Sequence, residues 1–140
     1  MTPKQLLIFA HRGEAQAFLK ELKFSPLPCA FDGVYHNDNL VLLICGEGEF
    51  NAAIKTAAIL AQVGTIEHVI NFGICGTLVP QVKVGQCFEI QNVYAQKESH
   101  FQFKSFSMTS LSSLEKKDLI TSTERVLDHK LADHLSVIAP

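Results

Sequence analysis

The strongest constraint on the fold is a strand–loop–helix–strand pattern between residues 40 and 72. The apolar run Leu40–Cys45 is followed by a Gly-x-Gly turn. Residues 51–63 are rich in alanine and place apolar side chains at helical spacing, and Gly64 ends that segment. A second apolar run, Val69–Phe72, then breaks into a glycine-rich loop. This order is typical of a parallel sheet with helical crossovers and predicts an α/β fold.

The rest of the chain adds elements of the same kind. They are strands at 4–10, 87–95 and 119–123, a helix from Glu14, a hairpin around residues 36–39, and an extended segment from residue 101. Two prolines between residues 24 and 28 cannot continue a helix, so a loop is expected there. We therefore expect one domain over residues 1–140, with a central mixed, largely parallel sheet and helices on both faces.

Composition excludes several classes of protein. The chain has 140 residues, of which 47% are hydrophobic and 19% charged, as in a soluble globular domain. A net charge of -2 without a basic block gives no support for nucleic-acid binding, and the apolar runs are too short to span a membrane. Four cysteines without a C-x-x-C pair indicate a reduced, cytoplasmic protein. Six histidines without H-x-x-x-H spacing predict no metal site, and we expect no cofactor.

The loops that follow the predicted strands carry the candidate functional residues. Glu14 lies on the loop after the first strand, where a carboxylate either complements a helix dipole or acts as a general base. Arg12, on the same loop, is either a solvated charge or an anion contact. The turn at residues 46–48 lacks the third glycine of a dinucleotide fingerprint and the Gly-Lys-Ser/Thr of a P-loop, so we expect it to cap the following helix.

Three segments together resemble the nucleoside phosphorylase and nucleosidase superfamily. Ala10–Glu14 resembles its first strand followed by a loop with glutamate at the helix start. Cys45–Ala53 is similar to its Gly-x-Gly-x-x-Asn-Ala-Ala turn. Val69–Leu78, with Val82–Gly85 behind it, is similar to Val-Ile-Asn-x-Gly-x-Ala-Gly-x-Leu followed by Lys-Val-Gly-Asp. The likeness is closest to methylthioadenosine/S-adenosylhomocysteine nucleosidases and futalosine hydrolases.

The resemblance implies hydrolysis of the N-glycosidic bond of a purine-type nucleoside, either methylthioadenosine/S-adenosylhomocysteine or a futalosine-like compound. Glu14 matches the glutamate that polarises the attacking water in the nucleosidase branch. Ile74, Cys75 and Gly76 match the loop that borders ribose and base, and Val126 matches an apolar wall of the base pocket. The family usually pairs subunits, which implies a homodimer.

The chain also departs from the family pattern. Ile74 stands where many members carry a small or hydroxylic residue, and Gln86 replaces the usual aspartate. The family's Met-Glu segment and late aspartate have no counterpart before Pro140, so we expect a nucleoside phosphorylase-like domain that is C-terminally incomplete. Two alternatives stay open: a phosphate-dependent phosphorylase with Arg12 as the anion contact, and a catalytically silent truncated member that acts as a binding module or has no function.

Overall fold

The structure is a computed structural model that describes residues 5–78, 80–97, 100–102, 110, 112–122, 130 and 132–133. Its contacts cluster into two units, Met1–Cys75 and Gly76–Pro140. The interpretation of residues 1–140 as one domain stays a prediction. No helix in the described ranges is long and apolar enough to cross a membrane.

The first unit is a mixed five-stranded sheet with two helices. In chain order its elements are β1 (Gln5–Phe9), α1 (Arg12–Glu21), β2 (Ser25–Pro26), β3 (Val34–His36), β4 (Leu40–Ile44), α2 (Glu49–Gln62) and β5 (His68–Asn71). The strand order is β2-β3-β4-β1-β5. The central strand β1 is parallel to β4 and β5, whereas the β3–β4 hairpin and the β2–β3 pair are antiparallel. The predicted mixed, largely parallel sheet is confirmed.

The two helices cover opposite faces of this sheet. Successive side chains of a strand point to opposite faces. Leu6 and Ile8 of β1 belong to one buried cluster with Ile59 of α2, whereas Phe9 belongs to another with Ala15 of α1. Connections between parallel strands are right-handed. The chain passes from β1 to β4 in one direction across the sheet and from β4 back past β1 to β5 in the opposite direction. The two connecting helices therefore lie on opposite faces. Helices on both faces, as predicted, are confirmed.

Three aromatic rings pack together near the carboxyl end of β1. The ring of Phe9, which is fully buried, lies 5.0 Å from that of Phe18 on α1 and 5.8 Å from that of Phe72 after β5. The Phe18 and Phe72 rings are 5.2 Å apart with their planes at 63°, an edge-on arrangement that is favourable for aromatic pairs. This aromatic triangle joins α1, β1 and the start of the loop after β5.

The second unit contains a separate three-stranded sheet. Its strands are β6 (Glu89–Lys97), β7 (His100–Gln102) and β8 (Lys116–Ser122), in the order β7-β6-β8. β6 is antiparallel to β7 and parallel to β8, with an irregular register between Ile90 and Asn92. The predicted extended segment from residue 101 is confirmed as far as residue 102, and residues 103–109 lie outside the described residues.

Several elements differ from the prediction: β6 runs from Glu89 to Lys97, β8 begins at Lys116, and three further differences lie in the first unit. Helix α1 begins at Arg12 and not at Glu14, and helix α2 begins at Glu49 and not at residue 51. Ser25–Pro26, predicted to be a loop, forms the short strand β2. Proline has no backbone N–H and is therefore confined to edge strands, and β2 is an edge strand.

Candidate functional site

The carboxyl ends of β4, β1 and β5 lie side by side, because these three strands are parallel neighbours. The chain leaves β1 toward α1 on one face of the sheet and leaves β4 toward α2 on the other. The two loops therefore diverge at this edge. Open α/β sheets bind their ligands in the crevice at such a switch point. The candidate site is built from the loops that follow these three strands.

The Glu14 side chain links the loop after β1 to the loop after β5. Its Oε2 accepts hydrogen bonds from the backbone N–H groups of Ala10 at 3.0 Å and His11 at 3.3 Å. Its Oε1 accepts one from the backbone N–H of Ile74 at 3.1 Å. A carboxylate offers about four lone-pair positions, so three donors leave roughly one, on Oε1, for an outside donor such as water.

The local sequence holds Glu14 in this place through a capping box. His11 is extended, with φ -144°, and its Nδ1 accepts a hydrogen bond from the Gly13 N–H at 3.0 Å. The Glu14 carboxylate in turn accepts a hydrogen bond from the His11 backbone N–H. The two side chains thus satisfy backbone donors at the start of α1 that have no partner within the helix. Glu14 thus takes part in a capping box in the first turn of α1, where a carboxylate also complements the helix dipole, and its role as general base stays a prediction.

Gly73 permits the loop after β5 to approach the carboxylate closely. A Cβ at position 73 would lie 3.2 Å from Glu14 Oε1, which is tighter than an ordinary contact. The backbone N–H of the preceding residue, Phe72, donates to the Ile8 carbonyl at 2.9 Å. This bond continues the β1–β5 pairing by one residue and fixes where the loop starts. The missing side chain at position 73 is thus what lets the Ile74 N–H reach Glu14.

The end of β4 places a buried thiol at the same edge. Cys45 is only 3% exposed, and its backbone N–H donates to the Phe9 carbonyl at 2.9 Å. Its Sγ lies 3.3 Å from that same oxygen and 3.1 Å from the Gly46 carbonyl oxygen. Burial raises the pKa of the Cys45 thiol, the charge of Glu14 raises it further, and that of Lys55 acts against both. With a raised pKa the thiol keeps its proton at neutral pH.

The glycine turn after β4 serves the helix that follows, as predicted. Gly48 is the N-cap of α2 with φ 92°, in the left-handed region that glycine adopts without strain. Its carbonyl accepts from the Ala52 N–H at 3.1 Å. The Asn51 side chain donates to the Glu47 carbonyl at 2.8 Å and so closes the turn.

Arg12 is exposed, and its Nη1 lies 3.5 Å from the hydroxyl of Tyr35 on β3. Tyr35 packs at the border of the cluster beneath α1. The sequence did not indicate that the Tyr35 hydroxyl would lie next to Arg12, since the position of Tyr35 relative to the carboxyl edge of the sheet depends on the register of the hairpin. The role of Arg12 as an anion contact stays a prediction.

The remaining predicted site residues have different outcomes. The side chain of Ile74 is 82% exposed, so its described link to Glu14 is through the backbone. Cys75 is an exposed free thiol, and Gly76 is exposed with open space beside it at the start of the second unit. Val126 lies outside the described residues. Within the described part of the chain, no group of three or more histidine, cysteine, aspartate or glutamate side chains could hold a metal ion.

Residues 12–124 match the family model of the phosphorylase superfamily. The match covers most of the chain and begins at Arg12, the first residue of helix α1, which carries Glu14. The chain belongs to this superfamily. A comparison with curated protein sequences found no match.

Solved structures share the fold. A futalosine hydrolase mutant of Helicobacter pylori superimposes with a TM-score of 0.80 at 14% identity, covering 98% of this chain and 73% of that one. The Campylobacter jejuni 5'-methylthioadenosine/S-adenosyl homocysteine nucleosidase gives 0.77 at 14% identity, covering 97% and 72%. A mutant of the Helicobacter pylori nucleosidase, with 5'-methylthioadenosine in its active site, gives 0.75 at 14% identity, covering 98% and 72%.

Proposed function

We propose that this protein hydrolyses the N-glycosidic bond of a purine-type nucleoside, such as methylthioadenosine, S-adenosylhomocysteine or a futalosine-like compound. Water attacks C1′ of the ribose as the C1′–N bond breaks, Glu14 accepts a proton from the water, and the departing base takes up a proton from the solvent. The observation that carries the proposal is the carboxylate of Glu14 at the switch point of the sheet, held by three backbone N–H groups. The family match and the nucleosidase structures that share the fold support the same reaction class.

The geometry suits the chemistry of this bond. Cleavage passes through a transition state that resembles an oxocarbenium ion, so a nearby negative charge stabilises it. The backbone donors fix the orientation of the Glu14 carboxylate before substrate arrives, which lowers the reorganisation cost of the reaction. They also leave a lone-pair position on Oε1 for the water. We place Ile74, Cys75, Gly76 and Val126 along the ribose and base as part of this proposal.

The decisive experiment assays the 140-residue chain against a panel of purine nucleosides with and without inorganic phosphate. We expect release of free base and free sugar at a rate that phosphate does not change. Strict phosphate dependence, with a sugar 1-phosphate as product, would instead support the phosphorylase alternative. The exposed Arg12 guanidinium beside the Tyr35 hydroxyl is the observation that favours that alternative. Absence of turnover with every nucleoside would support the catalytically silent alternative.

Gly73→Ala tests the close approach to the carboxylate. The added Cβ would press on Glu14 Oε1 at 3.2 Å, so the side chain must move by a few tenths of an ångström. We expect the turnover number to fall about tenfold, because small misplacements of a reacting group are costly. Steady-state kinetics measures the effect, and a thermal unfolding midpoint close to that of the wild type controls for folding. An unchanged turnover number would show that the approach at Gly73 does not position Glu14.

Two further expectations belong to this proposal. All four cysteines are free, which supports a reducing compartment, and we propose the cytoplasm. We also propose a homodimer. Phe50 and Ile54, on the first two turns of α2, are 76% and 67% exposed and are apolar surface that a second subunit would cover.

A further inference from the structure

The Cys45 thiol lies one peptide group away from the Glu14 carboxylate. The carbonyl oxygen of Phe9 is 2.9 Å from the Cys45 nitrogen and 3.3 Å from its Sγ. The N–H at the other end of that peptide group belongs to Ala10, and it donates to Glu14 Oε2 at 3.0 Å. A single planar group at the end of β1 therefore joins the two side chains.

This arrangement couples the hydrogen bond between the Cys45 thiol and the Phe9 carbonyl to the one between the Ala10 N–H and the Glu14 carboxylate. The peptide group is planar and conjugated, so its C=O and N–H ends turn together. Donors at the carbonyl oxygen polarise the group and strengthen its N–H as a donor, because hydrogen bonds in series reinforce one another. The Cys45 side chain thus influences both the direction and the strength of the Ala10 N–H bond to Glu14. Its raised pKa keeps the sulfur protonated, and so a donor, at neutral pH.

We propose that Cys45 is a positioning residue for Glu14, acting through the Phe9–Ala10 peptide group. The proposal rests on the proposed function, in which Glu14 accepts the proton of the attacking water. Cys45 itself does not touch the substrate. Its thiol proton is shared between the carbonyl oxygens of Phe9 and Gly46, and this sharing also ties the start of the glycine turn to the end of β1.

The kinetic test compares Cys45→Ala and Cys45→Ser in the full 140-residue chain. Alanine removes the donor, and we expect the turnover number to fall about three- to tenfold with KM within about twofold, the size of one hydrogen bond. Serine restores a donor of similar size, and we expect it to stay within about twofold of the wild type. Cys29→Ala is the matched control, since the Cys29 thiol donates to the Phe31 carbonyl at 2.9 Å, away from Glu14.

A second measurement does not need activity. We expect Cys45→Ala to shift the amide proton resonances of Ala10 and Ile74 in the NMR spectrum, whereas Cys29→Ala leaves both in place. In an active enzyme, a wild-type turnover number for Cys45→Ala, or an equal loss for Cys45→Ser, overturns the proposal. If the wild-type chain hydrolyses no nucleoside, the proposed function fails and the Ala10 resonance alone decides whether Cys45 acts on Glu14.

Discussion

Glu14→Gln should lower the turnover number of nucleoside hydrolysis by about 10²- to 10⁴-fold, the range that a general base contributes. The amide has the same length as the carboxylate but cannot take a proton from water. Its NH2 group also has to face one set of backbone donors, either those of Ala10 and His11 or that of Ile74. We expect the free energy of unfolding to fall by only about 1 kcal/mol, as for the loss of one cap contact. Steady-state kinetics and urea unfolding measure the two effects.

Glu21→Gln is the matched control for this substitution. Glu21 is exposed at the end of the same helix, and the turnover number should not change. A Glu14→Gln enzyme with full turnover would disprove the role of Glu14 as the base. A loss of activity equal in size for both variants would point to helix α1 as a whole and not to the carboxylate.

Phe9→Ala should lower the free energy of unfolding by about 3–5 kcal/mol. Phe9 is fully buried in β1, and its ring contacts the rings of Phe18 and Phe72. Removing the Phe9 ring leaves a cavity beneath the candidate site and takes one of the three rings out of the aromatic triangle. Urea unfolding followed by circular dichroism measures the change.

At a protein concentration low enough for the chain to be monomeric, Phe50→Ala removes the same side chain from a position that is 76% exposed. There it should change the free energy of unfolding by less than about 0.5 kcal/mol. Equal losses for Phe9→Ala and Phe50→Ala would contradict the assignment of the core. A small loss at Phe9 alone would mean that neighbouring side chains collapse into the cavity.

The parallel strands β1 and β4 were predictable because their burial leaves a direct trace in the sequence, whereas the third parallel strand, β5, is mostly exposed. A strand covered by helices on both faces needs apolar side chains on both, so it appears as an unbroken apolar run. Leu6–Phe9 of β1 and Val41–Leu43 of β4 are buried throughout, and both lie in runs that predict strands. The hairpin was predictable for a different reason, since a polar tip separates its two apolar runs.

The start of α1 was not predictable, since it depends on a capping group that the usual preferences do not include. The glycine cap of α2 was expected, but the apolar pattern alone did not give the first residue of that helix. Serine, threonine, aspartate and asparagine are the common N-cap residues with a side-chain acceptor. Here histidine caps α1 through Nδ1, and Gly48 begins α2 without a side-chain hydrogen bond. Both helices therefore begin two residues before their apolar pattern indicates.

The candidate site was predictable only in part. The position of Glu14 after a strand follows from the sequence, but its contact with Ile74 depends on β1 and β5 being neighbours, with Ile8 opposite Asn71. Sheet order and register arise from the whole packing of the unit. For the same reason Cys45, at the end of an apolar run, gave no sign that its thiol reaches the Phe9 carbonyl.

The central position of β1 has a consequence for biosynthesis. β1 is made before both of its pairing partners in this sheet, residues 40–44 and 68–71. At about 5–20 residues per second, the ribosome takes roughly 3 to 12 seconds to pass from Phe9 to Asn71. For part of that interval, until residues 40–44 are made, the apolar segment Leu6–Phe9 has no strand beside it, and until β5 is made one edge of β1 stays unpaired. Such segments attract chaperones or associate with other nascent chains. Slowing translation between β4 and β5 should therefore raise the demand of this chain for chaperones.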